Sequence, residues 1–190
     1  MGWVSSSVGT RVGRWSAFLV VAAMVFVGCG GSESDEAEPT TGSQPGVTTG
    51  EAQAPSKQEY IAQGDAICAD IQTAAARLAQ QAEDLQAQSD DLPKEEFLAK
   101  AAQFWQGQIR LTEGFLERFE GLGSPSGDEA QVEQFLTSVE DGIAKAREIQ
   151  ETLAGGEEVP DALVEEYVQI VDRGNELARA YGFQVCGQSQ

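Results

Sequence analysis

The sequence predicts an all-α domain, an antiparallel up-down four-helix bundle placed after a leader and a polar tether. Three observations predict it. From residue 56 onward apolar residues recur at steps of three and four. Gly and Pro interrupt that periodicity at three short intervals. No stretch alternates in the manner of a strand. Connections of roughly four to seven residues force consecutive helices to run antiparallel. A chain of 190 residues, 41% hydrophobic and 23% charged, has the material for one domain with its own core.

The first helix opens at Ser56-Lys57-Gln58-Glu59, a capping-box pattern. The Ser hydroxyl is placed to accept from the Glu59 N–H while the Glu carboxylate reaches back. Tyr60, Gly64, Ile67, Ile71, Ala74, Leu78 and Leu85 then form one seam to about Gln88. The second helix starts at Pro93, expected at the first helical position, with Glu95 and Glu96 favouring the positive end of the helix dipole. Its apolar face is broad, from Phe97 and Leu98 through Phe104, Trp105, Ile109, Leu111 and Phe115 to Phe119 and Leu122, and Gly121, Gly123 and Pro125 end it.

The third helix begins near Asp128, buries Val132, Phe135, Leu136, Val139, Ile143, Ile149 and Leu153, and stops at Gly155-Gly156. The fourth begins at Pro160 and turns Leu163, Val164, Tyr167, Ile170, Val171, Leu177, Ala178 and Tyr181 inward, with Gly182 as C-cap. Gly64, Gly107, Gly114, Gly142 and Gly174 fall inside these helices, each costing about 1 kcal/mol relative to Ala. They read either as tolerated weakness or as points of close packing.

Composition excludes several chemistries. The chain has no histidine, so it holds no Ser-His-Asp or Cys-His site, no His-ligated zinc and no Glu-x-x-His di-iron centre. A formal charge of −19 argues against nucleic acid as a partner, because binding a polyanion needs clustered Lys and Arg. The acids fall in adjacent pairs: Glu83-Asp84, Asp90-Asp91, Glu95-Glu96, Asp128-Glu129, Glu140-Asp141, Glu157-Glu158 and Glu165-Glu166. Neighbours on a helix point about 100° apart and do not converge, so these pairs read as solvated faces and helix starts. No metal site and no cofactor is expected. Phe104 and Trp105 point to different sides of one helix. The reading is that both are buried between different neighbours; the alternative makes Trp105 a contact residue in a groove or interface.

The N-terminal residues carry an address. Arg11 and Arg14 are the only ionisable side chains before Glu33, and they precede an apolar run from Ser16 to Gly28. That run is too short to cross a hydrocarbon core of about 30 Å as a helix. It ends Phe26-Val27-Gly28-Cys29, which resembles the lipobox of bacterial lipoproteins, with Phe26 where Leu is usual. The resemblance implies a signal peptide over 1–28, cleavage between Gly28 and Cys29, and a diacylglycerol on the Cys29 sulfur. It places the protein on the extracytoplasmic side of the cell membrane, held there by lipid. Residues 29–55 are, after Cys29 itself, Gly, Ser, Thr, Pro, Gln, Ala and acid, with Val47 the one large aliphatic residue. Such a segment cannot bury enough apolar surface to offset its conformational entropy and is expected to be a disordered acidic tether. The bundle occupies 56–187.

With Cys29 taken by lipid, Cys68 and Cys186 remain, an even pair in an exported chain. If the first helix ends near residue 88 where the fourth begins near 160, Gly182 lies level with residue 66. The tail to Cys186 then reaches Cys68. A disulfide is expected; a redox-active pair is the rival, without a Cys-x-x-Cys or an adjacent cation to favour it. The spacing Asp65-Ala66-Ile67-Cys68, with Tyr181-Gly182-Phe183-Gln184-Val185-Cys186-Gly187 at the other end, resembles small helical envelope lipoproteins of bacteria, a resemblance that brings no activity or site. The expected function is non-catalytic, the binding or scaffolding of an envelope protein or ligand. The alternatives are a passive acidic surface protein that collects cations, or an enzyme using carboxylates or Tyr167 and Tyr181.

Overall fold

The computed structural model describes residues 54–188, and within them the chain is an all-α four-helix bundle. The helices are α1 (Lys57–Ala87), α2 (Lys94–Glu120), α3 (Glu129–Ala154) and α4 (Asp161–Tyr181). The leader, the lipobox and the tether to residue 53 lie outside the described residues. No helix among the described residues is long and apolar enough to cross a membrane.

Each helix begins and ends for a local reason. Ser56 caps α1 through a complete capping box: the Glu59 N–H donates to Ser56 Oγ at 3.3 Å and the Ser56 N–H donates to Glu59 Oε2 at 2.9 Å. Pro93 and Pro160 stand one residue earlier than expected. Both have extended ψ, 142° and 139°, so each is the residue before the first turn rather than its first member. α4 ends on Gly182 at φ 118°, a left-handed conformation that a side chain resists. The Phe183 N–H then reaches back to the Ala178 carbonyl and the Gly182 N–H to that of Arg179, the paired bonds of a Schellman motif.

α1 packs on α2, α2 on α3 and α3 on α4. One ion pair crosses each of these contacts, Asp70–Arg118 at 2.7 Å and Glu113–Arg147 at 2.5 Å on the surface and Lys145–Glu166 at 3.0 Å with its lysine half-buried. Such pairs contribute at most about 1 kcal/mol each and bear on register more than on stability. α1 and α4 do not pack as those neighbours do. At one end of the bundle the C-terminal tail spans the gap. Cys186 bonds to Cys68 with Cα atoms 5.3 Å apart, across 118 residues of sequence, so the disulfide expected from sequence is present. Asp65 lies one turn before Cys68 on α1, and its carboxylate accepts the N–H groups of Gln184, Val185 and Cys186 at 2.8–3.4 Å.

The core is in two parts. One lies at the tail end, where Tyr60, Phe119, Phe135, Tyr181 and Phe183 stack edge-to-face or tilted at 5.3–6.1 Å. The other lies at the far end around Leu85, Phe97, Phe104, Trp105, Ile149 and Val159. Trp105 is 6% exposed, 6.0 Å from Phe104 and 5.0 Å from Tyr167. Its alternative reading as a surface contact residue is therefore corrected. α2 is covered by α1 on one side and α3 on the other, so both of its diverging aromatics find cover.

Candidate functional site

Between the two halves of the core the bundle is hollow. A cavity of about 140 Å³ opens there, with walls from all four helices and one end at the disulfide. Small side chains make the space. Ser138 and Gly142 lie one turn apart on α3 and face α4, where Gly174 comes so close that a Cβ on it would stand 3.0 Å from Ser138 Oγ. A Cβ on Gly142 would meet Ile170 at 3.8 Å, with no side chain of its own to fill the middle. α4 thus sits tightly on α3, and the seam toward α1 stays open.

The burial pattern shows the same opening from the side chains. Ile109, Phe135, Ile143 and Ala146 are buried and form its depth. Ile71 of α1, Leu111 and Phe115 of α2, and Tyr167, Ile170 and Val171 of α4 line it only half-buried. This corrects the sequence expectation for α4. Of the eight residues expected inward on that helix, only Ala178 and Tyr181 are fully buried, because no close α1 neighbour covers the rest. From Phe135 to Ala146 the lining runs three turns along α3, about 16 Å at the α-helical rise. The space is therefore a slot along the bundle axis, ending at the Cys68–Cys186 disulfide on one side and at Ala146 and Tyr167 on the other.

None of the residues lining the slot is charged, although acids outnumber Lys and Arg by 31 to 12 in the chain. Its polar groups are neutral: Gln108, Thr112, Ser138 and Asn175. Two hydroxyls are already committed, Ser138 Oγ donating to the Phe135 carbonyl at 2.6 Å and Thr112 Oγ1 to the Gln108 carbonyl at 3.0 Å. A lining of this kind accepts apolar groups and leaves an ion with no counter-charge. The Tyr167 phenol is pushed up to about 12 by burial, so at neutral pH it stays protonated.

The acid pairs are elsewhere. All seven lie on exposed positions except Asp128, which is half-buried. There Asp128 accepts the Tyr181 hydroxyl at 3.0 Å and pairs with Lys57 at 3.4 Å, and the Lys57 ammonium stands 4.1 Å over the Tyr181 ring. Burial, followed by that bond to Asp128, raises the Tyr181 phenol well above its ordinary value. Among the described residues no three carboxylates or thiols gather where a metal ion could be held. Gly28 and Cys29, the cleavage and lipidation residues, lie outside the described residues.

Sequence reasoning missed the slot and the role of Asp65. Gly142 and Gly174 were visible as helix-interior glycines, and the Ser138/Gly142 spacing was the one available signal of a thin helix contact. Nothing in the pattern says that two small faces meet across α3 and α4. No family model, curated protein or solved structure matches the chain.

Proposed function

We propose that this protein is anchored by lipid at Cys29 to the extracytoplasmic face of a membrane and that its bundle is a non-catalytic binding module. The acidic tether carries the bundle, and the slot between α1 and α4 receives an apolar ligand or an apolar segment of an envelope partner. The observation that carries this reading is the uncharged, half-open apolar slot inside an otherwise strongly acidic bundle. Monomeric domains ordinarily fill such space, since an unfilled cavity costs stability roughly in proportion to its volume. The rival readings, cation collection and carboxylate catalysis, draw on acid pairs that stand apart in solvent.

Two measurements test the two halves of the proposal. Cys29→Ser is expected to move the protein from the membrane fraction to the soluble fraction; retention in the membrane defeats the anchor. A photoreactive amino acid in place of Val171, at the edge of the slot, is expected to capture an adduct in intact envelopes, whereas the same group at exposed Glu140 is not. Equal labelling at the two positions, or none at either, removes the slot as a binding site.

A further inference from the structure

The slot is long, and its shape specifies more than apolarity. We infer that it binds a single unbranched alkyl chain of an uncharged amphiphile, an inference that rests on the binding-module reading and names the ligand class of the same site. Three features point to this class. The first is the ratio of volume to length. About 140 Å³ lined over about 16 Å of α3 and over two turns or more of α2 and α4 suits an elongated occupant. A compact cavity of similar volume is known to take a benzene ring, but a ring would occupy only part of a slot this long. An extended chain gains about 1.25 Å per carbon, from single bonds of about 1.5 Å at about 111°, so about thirteen carbons match the length.

The second is charge. No lining residue is cationic, and Lys145, beside the lining residue Ala146, is engaged with Glu148 and Glu166. An anionic head would meet an acidic bundle and find no partner for its charge among the residues that line the slot. The third is the manner in which the space is made. Ser138, Gly142 and Gly174 bring α3 and α4 close together and carry little or no side chain into the slot that they line, which leaves a continuous wall along the open seam toward α1. The side-chain amides of Gln108 and Asn175, neutral and half-buried, offer hydrogen bonds to a head group that carries no charge.

Chain length provides the test. The full protein, purified from envelopes and exchanged into an amphipathic polymer, is titrated calorimetrically with the 1-alkanols from hexanol to hexadecanol. Saturable binding is expected, tightening roughly fourfold per added methylene and levelling near about thirteen carbons, where the slot ends. Gly142→Leu, which fills the slot, is expected to weaken dodecanol at least about tenfold, the loss of two or more buried methylenes. If that variant does not fold by circular dichroism, Val171→Asn at the half-exposed edge decides instead, with an expected loss of severalfold. Uptake that never saturates, affinity that ignores chain length, benzene binding as tightly as decanol, or indifference to both variants overturns the inference.

The source of the chain is read from organic extracts of the purified protein. An intact uncharged glycerolipid identifies a membrane acyl chain, and a free alcohol or amide identifies a soluble amphiphile; either supports the inference, whereas an anionic lipid overturns the uncharged head group. A polypeptide captured by the Val171 photoprobe, together with no saturable alkanol binding, rejects the alkyl chain while leaving the binding module standing. Absence of both rejects the module itself.

Discussion

Asp65 gathers three backbone N–H groups from a segment about 120 residues away, and one turn later Cys68 is bonded to the same segment. The two act on one element by different means, the carboxylate by orienting the tail and the disulfide by retaining it. Asp65→Ala is expected to cost about 1.5–3 kcal/mol, the range for hydrogen bonds to a charged group. Because the two residues share a target, the effects of Asp65→Ala and of disulfide reduction are expected to be non-additive in urea titrations. Strict additivity would show that they hold the tail independently. Two glycines inside helices are expected to respond oppositely to substitution. A Cβ at Gly64 lands on the rings of Phe183 and Phe119, so Gly64→Ala overpacks the tail-end core and is expected to destabilise by about 1–3 kcal/mol. A Cβ at Gly142 reaches only ordinary contact with Ile170, so Gly142→Ala is expected to stabilise by up to about 1 kcal/mol through helix propensity. Urea midpoints of the two variants falling on the same side of wild type would contradict this contrast.

At the scale of elements, α1 is set by its cap and α4 by its tail. Ser56→Ala removes the hydroxyl that accepts from the first turn and is expected to cost about 1 kcal/mol, read as earlier fraying of α1 in amide exchange. The partner carboxylate gives this cap a pH dependence. Glu59 is held below the ordinary carboxylate value first by the Ser56 hydroxyl and then by the Ser56 N–H. A lowered folded-state pKa means that the contribution is complete above the unfolded carboxylate value and is lost as the pH falls through the folded one. Protection at the start of α1 is expected to decline on acidification in wild type and not in Glu59→Gln. α4 is the most one-sided case. Its apolar stripe is clear in sequence, yet most of the stripe is half-buried, because its cover comes from α3 and the tail while the α1 side is open.

The whole molecule is a chain of three helix contacts closed at one end by a covalent staple. Reduction of Cys68–Cys186 releases a loop of 118 residues, and the chain-entropy model places the loss at up to about 4–5 kcal/mol. Equilibrium unfolding with and without reductant measures it; an unchanged midpoint would mean that Asp65 and Phe183 alone seat the tail. Alkaline stability is also a property of the whole, since Tyr60 and Tyr167 lie in different halves of the core. Burial pushes each phenol up to about 12, while an unfolded phenol ionises near about 10. Raised folded-state values leave this contribution intact below pH about 10 and remove it as the pH rises toward about 12. Spectrophotometric titration is expected to show both phenols ionising late, in step with loss of the bundle.

Local chemistry determined the four helices, because capping boxes, prolines, glycines and a 3.6-residue apolar period act within a few residues of chain. The cysteine pairing was equally legible, since antiparallel register follows from short connections and places the tail beside Cys68. Burial of Trp105 and the incomplete burial of α4 were decided only by the tertiary structure: each depends on which helices flank a given face, and a helix's own sequence does not say how closely its neighbours come. The slot belongs to that second kind. Ser138, Gly142 and Gly174 became informative only when α3 and α4 met through them, since a cavity is made by side chains absent from two facing helices at once.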